Sequence, residues 1–540
     1  MGAFTVCVTD NDPSGNKECD RAAGRWNRMQ EHDHIRPVET ELKLAVPPGQ
    51  GARLLKHPAF RAALASAPEK RHEVTTYFDT PDFKLARGGF SLRVRWTGGR
   101  RVQTLKANGA ANSVALRRGE WEWPIEQDQP DLGLLAQLPL DGSLPGPIDG
   151  DLQPVFTTDI RRTVCGLHLA GGTRAEAALD EGGIAAGDAR EPVSELELEL
   201  KAGVPGPLYR LALDLHAAVP LAVSAESKAE RGARLRTGEA PAVHKADDPD
   251  LPHDAEVVDG VRRVIESCLG QFVANRTAAL AGSPEGVHQT RISMRRLRSA
   301  LALFDGHLKR RASKRFDGRL QRLGRVLGEA RDWDVFCLET LPAAAEAAPG
   351  KSWGGLRKAA GAERRAAHRR LRAKLSGPAA TGLVLELAAV AAAEPGASAL
   401  LKKSARRPLA EEAPVMLDRL ARKAAKRGRH LERLSEDELH ALRKSLKKLR
   451  YGMDFLGGLY GRKQVKSFVH HCKELQEGLG SLNDAAVAED LARRLGGGDP
   501  ARLAAPAEKL ARWGRERRAD AFHHLAGGWK EFKQASPFWG

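Results

Sequence analysis

The sequence predicts an α+β protein of two domains, in which a strand-rich domain precedes an all-helical domain. Up to about residue 235, short runs that alternate apolar and polar residues lie between Gly- and Pro-containing turns, a pattern typical of antiparallel strands. Residues 237–254 contain three prolines and several charges, so we interpret them as a linker. The segments that follow are rich in Ala, Leu, Arg, Lys and Glu and have helical periodicity. The predicted domains are therefore 34–236 and 255–540, preceded by a polar, disordered extension over 1–33.

The overall charge points to polyanionic partners. The chain has 540 residues, a formal net charge of +17 and a pI of about 9.7, which favours nucleic acid, polyphosphate or an anionic membrane surface without choosing among them. Its six cysteines form no CxxC pair, which argues against a disulfide framework and a thiolate zinc site and suits a reducing cytoplasm. No apolar stretch approaches the roughly 20 residues of a membrane span, and no secretory signal follows either Met1 or Met29, the two candidate start residues.

Charged side chains share one face of several predicted strands, such as VETELKLAV and SELELELK. For any one strand, the simpler interpretation is a polar face in water and a leucine face on a core. However, acids cluster on some strands and bases on others, so a closed sheet would place them around a wet interior that needs a highly charged ligand. Carboxylates there would bind divalent metal ions, and Arg and Lys would bind phosphate oxygens.

An ordered series of motifs resembles the CYTH domain, also called the triphosphate tunnel metalloenzyme superfamily. It comprises ExExK at 39–43, YFDTPDF at 77–83, LRVRW, TLK, RGEWE, the ALD that ends at Asp180, ELELELK, and SKAERG at 227–232. The resemblance implies an antiparallel eight-stranded β-barrel around a hydrophilic tunnel, with Mg²⁺- or Mn²⁺-dependent chemistry on inorganic triphosphate or another triphosphate compound.

The same resemblance implies roles for individual residues. The implied metal ligands are Glu39, Glu41, Asp180, Glu195, Glu197 and Glu199, and the implied catalytic residues are Glu39, Glu41 and Lys43. The implied phosphate-binding residues are Lys43, Arg93, Arg95, Lys106, Arg162 and Lys228. Arg161 adjoins Arg162, and the pattern leaves open which of the two points inward.

The helical half contains an internal repeat at a constant offset of 152 residues. HQTRISMRRLR begins at His288 and HALRKSLKKLR begins at His440; the same offset relates the Leu-Gly pairs at 327–328 and 479–480, and Asp332 to Asp484. A solvated basic face is the simpler interpretation of one such helix. Its repetition favours a shared polyanion, because like charges one turn apart repel. The basic residues in question are His288, Arg291, Arg295, Arg296, Arg298, His440, Arg443, Lys447, Lys448 and Arg450.

HxxRxxxRRLR followed by LGxARDxDV, repeated in degenerate form, resembles the CHAD domain, a conserved histidine α-helical domain. The resemblance covers about 255–535 and implies two pseudo-symmetric four-helix bundles around a basic groove that binds inorganic polyphosphate. The second copy has Lys at two Arg positions and SLNDAA in place of ARDWDV, so the halves need not contribute equally. Histidines with a pKa near neutrality would strengthen polyanion binding at lower pH.

Together these patterns predict a cytoplasmic, metal-dependent inorganic triphosphatase, acting also on longer polyphosphate, that holds polyphosphate in its helical domain. The alternative is a non-catalytic polyphosphate-binding protein at granules with a sensory or vestigial tunnel. Nucleic acid ranks lower as a partner because the basic stripe has no aromatic residues for base stacking. A nucleotide or thiamine substrate would need an apolar pocket, which Trp96, Trp121 and Trp123 could line. The patterns indicate no membrane partner and no particular oligomeric state.

Overall fold

The computed structural model describes residues 39–107, 114–135, 152–350, 353–498 and 500–539, so the predicted extension over 1–33 lies outside the described residues. Strands with short helices occupy the described part of 39–237, and helices dominate 257–534. This confirms the predicted α+β class, an antiparallel sheet domain followed by an all-helical domain.

Ten strands form one antiparallel sheet within the described part of the first domain. They are β1 (Glu39–Ala45), β2 (Glu69–Asp79), β3 (Phe90–Thr97), β4 (Arg100–Ala107), β5 (Leu116–Arg118), β6 (Glu120–Ile125), β7 (Gln153–His168), β8 (Arg174–Ala186), β9 (Ala189–Ala202) and β10 (Ala222–Ser224). The helices of this domain are α1 (Gly51–Leu55), α2 (Pro58–Ala63), α3 (Lys84–Arg87), α4 (Leu132–Leu135), α5 (Gly206–Ala218) and α6 (Lys228–Thr237).

The sheet curls on itself without forming a continuous hydrogen-bonded barrel. Its strand order is β10-β1-β9-β8-β7-β2-β3-β4-β6, and β5 pairs separately with β1. The structure differs in detail from the predicted closed barrel of eight strands, because nine strands follow an open path and β5 pairs off it. The end of the path at β6 still comes close to β1, because only Gly119 separates β6, which bonds to β4, from β5, which bonds to β1. One interrupted strand thus spans the gap in place of an unbroken eighth strand.

The register of the strands places charged residues opposite charged residues and leucines opposite leucines. In the β1–β9 ladder, Lys43 lies opposite Glu197 and Leu42 lies opposite Leu198. Both leucines are fully buried in an apolar core that includes Leu215 of α5. The leucine face therefore packs outward against helices, and the charged face is left to surround the interior of the curled sheet.

The second domain is built from helices, and none of the described helices is long and apolar enough to cross a membrane. They are α7 (Val257–Ala281), α8 (Pro284–Leu303), α9 (Arg310–Val335), α10 (Leu341–Ala347), α11 (Trp353–Ser376), α12 (Pro378–Ala391), α13 (Leu409–Arg427), α14 (Glu436–Leu456), α15 (Arg462–Gly498) and α16 (Pro500–Gln534). A π-helical turn over Phe336–Thr340 joins α9 to α10.

The sequence repeat is also a repeat of helices. Three helices of each half begin 152 residues apart, so that α7, α8 and α9 correspond to α13, α14 and α15. The helices that carry the repeated motif, α8 and α14, pack against each other where the halves meet. The helix α12 packs against α5 of the sheet domain, and there Nε2 of His216 lies 2.9 Å from the carbonyl oxygen of Pro378.

The predicted linker is docked on the helical domain. The side chain of Asn275 hydrogen-bonds the backbone N–H and carbonyl of His244 at 2.9 and 2.8 Å. Arg296 donates to the carbonyl oxygen of Asp247 at 2.9 Å. These bonds hold the segment in one path between the two domains.

Candidate functional site

A charged cavity of about 340 Å³ lies inside the curled sheet. Alternate residues of each strand face it, as the two-residue period of a strand requires. The predicted site residues that line it are Glu41, Lys43, Arg93, Arg95, Lys106, Arg162, Asp180, Glu197, Glu199 and Lys228. Glu195 is buried and contacts both Lys43 and Lys228, whereas the side chain of Glu39 lies outside the described residues.

Three carboxylates form a cluster on the wall made by β8 and β9. Oxygen atoms of Asp180, Glu195 and Glu197 lie within 4.8 Å of one another. Oxygen ligands of this kind are the ones that Mg²⁺ and Mn²⁺ prefer, so the donor set fits the divalent ion that the sequence predicts.

Two lysines neutralise this cluster. Nζ of Lys43 lies 3.2 Å from Glu41 and 3.3 Å from Glu195, and it also contacts Glu197. Nζ of Lys228, at the start of α6, lies 2.6 Å from Asp180 and 3.0 Å from Glu197. Burial acts to lower the pKa of each lysine, but the carboxylates outweigh it and raise both pKa values above the usual range. Both ammonium groups stay charged, and a divalent ion held by Asp180, Glu195 and Glu197 would share these carboxylates with them.

Arg162 holds the same cluster from β7. Its Nε and Nη2 donate to the two oxygens of Asp180 at 2.7 and 2.6 Å, and Nη2 also donates to Glu197 at 2.8 Å. Burial acts to raise the pKa of Asp180, but Lys228 and Arg162 outweigh it and keep that pKa below its usual value. Arg161 is exposed, so Arg162 is the inward-facing member of the pair.

The wall made by β3 and β4 carries cations. Arg93 lies 3.4 Å from Glu120, Arg95 lies 3.1 Å from Glu122, and Lys106 lies 2.8 Å from Glu120. The strand order places β3 and β4 across the cavity from β8 and β9. A linear anion inside the cavity would therefore meet the carboxylate cluster on one side and these cations on the other.

The sequence analysis missed several residues that line the cavity. The buried carboxylate of Glu73 lies 3.7 Å from Arg162 and 3.9 Å from Arg95, and so links the two walls. Its strand neighbours at alternate positions face inward too, a period-two signal that was available. The missed residues include Arg71, Glu73, Thr75, Tyr77, Thr158 and Glu176.

The three tryptophans considered for a base-binding pocket do not line the cavity. Trp123 belongs to a core on the outer face of the sheet with Leu92 and Leu105, and Trp121 packs against that core. Trp96 is 39% exposed. Among the described residues, the cavity wall is polar and offers these rings no role in binding a base.

A second polar cavity, of about 210 Å³, lies where α8 and α14 meet. Arg443 lies 3.9 Å from Asp484. Nδ1 of His288 and Nε of Arg295 and of Arg443 are buried without a hydrogen-bond partner in the described structure. We call this cavity the basic groove; its charged lining residues are His288, Arg291, Arg295, Arg331, Asp332, Arg443, Lys447 and Asp484.

Positive charge is disfavoured in the basic groove. Burial, followed by the neighbouring Arg295, Arg443 and Arg291, lowers the pKa of Lys447 to about 6. Burial and Arg295 lower the pKa of Arg291 to about 10. Burial and Arg331 lower the pKa of His288 to about 4, so the expectation that the histidines titrate near neutrality is wrong for His288. Lys447, with a pKa of about 6, is closer to neutral than His288 and is the groove residue whose charge would depend on pH.

Not every predicted polyphosphate-binding residue reaches the basic groove. Arg296 is turned toward the linker and lies over the Phe455 ring at 5.1 Å, and Arg298 pairs with Asp317 at 2.7 Å. Arg450 lies 3.4 Å from Asp454. His440 lines an adjoining cavity, and Lys448 lines neither cavity. Successive helical residues point about 100° apart, so neighbours of Arg295 and Lys447 face other elements.

The glycines of the repeated Leu-Gly pairs lie beside the two equivalent arginines of the groove. A Cβ at Gly328 would lie 3.6 Å from Nε of Arg291, and a Cβ at Gly480 would lie 3.8 Å from Nη2 of Arg443. Both distances are ordinary van der Waals contacts, so an alanine would fit at either position. The repeat therefore keeps the same neighbour for the glycine in each half.

Comparison with known proteins finds both predicted domains. The family model of the CYTH domain matches residues 38–233, and that of the CHAD domain matches residues 263–493. An inorganic triphosphatase from Haemophilus influenzae is 34% identical over 202 residues, which cover 37% of this chain and 55% of that protein. The chain thus spans about half the length of this curated relative.

Two solved structures are similar to parts of the chain. The CHAD domain from the plant Ricinus communis is 26% identical, with 53% of this chain and 96% of that chain covered and a TM-score of 0.43. A Hippeastrum adenylyl cyclase homologue with a dominant triphosphatase activity is 20% identical, with 37% of this chain and 96% of that chain covered and a TM-score of 0.27.

Proposed function

Because the chain contains a CYTH domain at 38–233 followed by a CHAD domain at 263–493, we propose that it hydrolyses inorganic triphosphate in the sheet cavity and binds polyphosphate in the basic groove. One observation carries the hydrolytic part: a single cavity sets a carboxylate cluster against a wall of cations. The 34% identity to an inorganic triphosphatase supports the same activity.

The two walls of the cavity have different roles, one in metal binding and the other in phosphate binding. When bound at Asp180, Glu195 and Glu197, Mg²⁺ or Mn²⁺ supplies neutralisation of phosphate charge and activation of water. Arg93 and Arg95 bind phosphate oxygens on the opposite wall. Their positive charge stabilises the negative charge that develops on the leaving pyrophosphate.

Lys43 and Lys228 link metal binding to substrate binding. Both ammonium groups contact the carboxylate cluster, so they would give up these contacts if Asp180, Glu195 and Glu197 held a metal ion. Triphosphate offers them a new anionic partner inside the same cavity. Metal ion and triphosphate should therefore bind cooperatively, each making room for the other.

The test of hydrolysis is phosphate release from tripolyphosphate with Mg²⁺ or Mn²⁺. Glu41→Gln removes a charge from the cavity, and we expect a rate loss of at least about 100-fold, the size of effect seen when one preorganised hydrogen-bonding group of an active site is removed. Glu126→Gln, at an exposed position just after β6 that does not line the cavity, is the matched control and should keep the parent rate. Equal rates for the parent and Glu41→Gln would remove the cavity from the reaction.

A second candidate function is polyphosphate binding without catalysis. The observation in its favour is that Lys43 and Lys228 already pair with the carboxylate cluster, so the negative charge of the carboxylates is neutralised without a metal ion. Absence of phosphate release from every triphosphate tested, with polyphosphate binding retained, would select this function. Association with polyphosphate granules would follow from either function.

Polyphosphate binding in the basic groove would satisfy buried nitrogen atoms that have no hydrogen-bond partner in the described structure. Buried groups of Arg295, Arg443 and His288 have no hydrogen-bond partner in the described structure, and burying such groups is costly unless an anion binds. Replacing Arg291, Arg295, Arg443 and Lys447 together with Ala should abolish polyphosphate binding. The matched control removes four exposed charges from α13 and the turn after it, at Arg422, Lys423, Lys426 and Arg429. Equal loss in both variants would indicate attraction by net charge alone.

A further inference from the structure

The last two helices bring together metal-ligating side chains outside both cavities. His471 and Glu474, three residues apart, project from the same side of α15, and Glu531 lies on α16, which packs against α15. One ligand atom from each residue lies within 4.8 Å of the other two. Glu and His three residues apart, facing a carboxylate on a neighbouring helix, is an arrangement that helix bundles use to hold metal ions.

One polar atom of this cluster is buried without a hydrogen-bond partner in the described structure. Nδ1 of His471 is buried without a hydrogen bond, and its neighbour, Oε2 of Glu531, is 3.9 Å away, beyond hydrogen-bond distance. Two ligands of one tetrahedral Zn²⁺ lie roughly 3.4 Å apart, given bond lengths of about 2.0–2.2 Å. A small rotation of either side chain would therefore bring both atoms to a shared ion.

The negative charges of this cluster also favour a bound cation. The chain has 86 Lys and Arg residues, yet neither Glu474 nor Glu531 pairs with one in the described structure. Glu474 forms an ion pair with His470, one helical turn away, at 3.3 Å. Within the described ranges, the two carboxylates of the cluster therefore have no lysine or arginine partner. The side chains of His471, Glu474 and Glu531 are 28%, 44% and 60% exposed, so an ion can enter from solvent.

We propose that His471, Glu474 and Glu531 bind one divalent transition-metal ion, such as Zn²⁺ or Co²⁺, which ties α15 to α16. An imidazole nitrogen among the ligands selects such ions, whereas Mg²⁺ prefers oxygen ligands and retains its water. Water completes the coordination. The ion stabilises the last helix pair, and this role does not depend on the proposed hydrolysis or on polyphosphate binding.

The test is calorimetric titration of the full chain with Zn²⁺ in excess Mg²⁺, which keeps the oxygen ligands of the sheet cavity occupied. The parent should bind one equivalent of Zn²⁺ that His471→Asn does not bind. Glu531→Gln should weaken that equivalent by more than about tenfold, which even the loss of an outer-shell partner can cause. Glu477→Gln, an exposed position one turn further along α15, is the matched control and should bind as the parent does.

Two further measurements separate this site from the sheet cavity. Co²⁺ should give visible absorption bands that the parent shows and His471→Asn lacks. Zn²⁺ should raise the thermal unfolding temperature of the parent and of Asp180→Asn by the same shift, and leave that of His471→Asn unchanged. An equal Zn²⁺ stoichiometry in the parent and His471→Asn, or a stoichiometry that falls only in Asp180→Asn, would overturn the proposal.

Discussion

Polyphosphate affinity should fall as pH rises, and Lys447 should be the cause. In the free groove the pKa of Lys447 is about 6, because burial and three neighbouring arginines disfavour its charge. A bound polyanion favours that charge and returns the pKa toward the ordinary lysine value of about 10.4. Above the free pKa, binding therefore takes up one proton at this residue.

The sign and size of the effect follow from linkage. A site that gains one proton on binding loses affinity about tenfold for each unit of pH between its free and bound pKa values. The dissociation constant should thus rise about tenfold from pH 7 to pH 8. Below the free pKa of about 6, Lys447 is already charged and its contribution to the pH dependence disappears.

The repeat supplies the matched variant. Arg295 occupies in the first copy the position that Lys447 occupies in the second. In Lys447→Arg the guanidinium stays protonated, so the variant should bind polyphosphate at least as tightly as the parent at high pH, without the slope. Calorimetry in two buffers of different ionisation enthalpy measures the protons taken up, with about one expected for the parent and about none for Lys447→Arg. An unchanged slope in Lys447→Arg would refute the reasoning.

Three further predictions concern the sheet domain. Lys228→Met should let Mn²⁺ bind without triphosphate, because the ammonium group that competes with the ion for the carboxylates is removed. Electron paramagnetic resonance of free Mn²⁺ measures this binding, and equally tight Mn²⁺ binding by the parent would contradict the prediction. Asp180→Asn should cost about 1.5–3 kcal/mol of unfolding free energy in urea, because the buried carboxylate loses its charged contacts with Arg162 and Lys228, which keep Glu197 as a partner; a cost below 1 kcal/mol would contradict this pairing. Gly232→Ala should cost about 1–3 kcal/mol, because the new Cβ would lie 2.2 Å from the Phe156 ring, and an unchanged melting temperature would rule out that packing.

The division of charged and apolar faces could be predicted from the sequence because it is a local property. A strand alternates its side chains whatever lies opposite, so the order Glu41-Leu42-Lys43 already separates the cavity face from the core face. The start of each repeated helix could be predicted from the sequence for the same reason. The capping serine of α14, Ser435, and the helical period of the motif after it need no distant partner.

Partners across elements could not be predicted in the same way. The family resemblance implied that Lys43 and Lys228 bind phosphate, but in the structure both contact the carboxylate cluster. It placed Arg298 with Arg295 on one stripe, yet Asp317 of α9 draws Arg298 away. Nothing in the local pattern around Glu73 shows that two arginines from other strands would reach it.

The two domains, their order, the charged face of the strands and the duplicated basic helix could be inferred from the amino-acid sequence, because periodicity and repetition are carried by neighbouring residues. How the sheet meets itself at Gly119, which cations share the basic groove, and why the pKa of Lys447 lies nearer neutral than that of His288 became clear only from the folded chain. A period sets the direction of a side chain, whereas ion pairing, burial and pKa depend on distances between elements far apart in the chain.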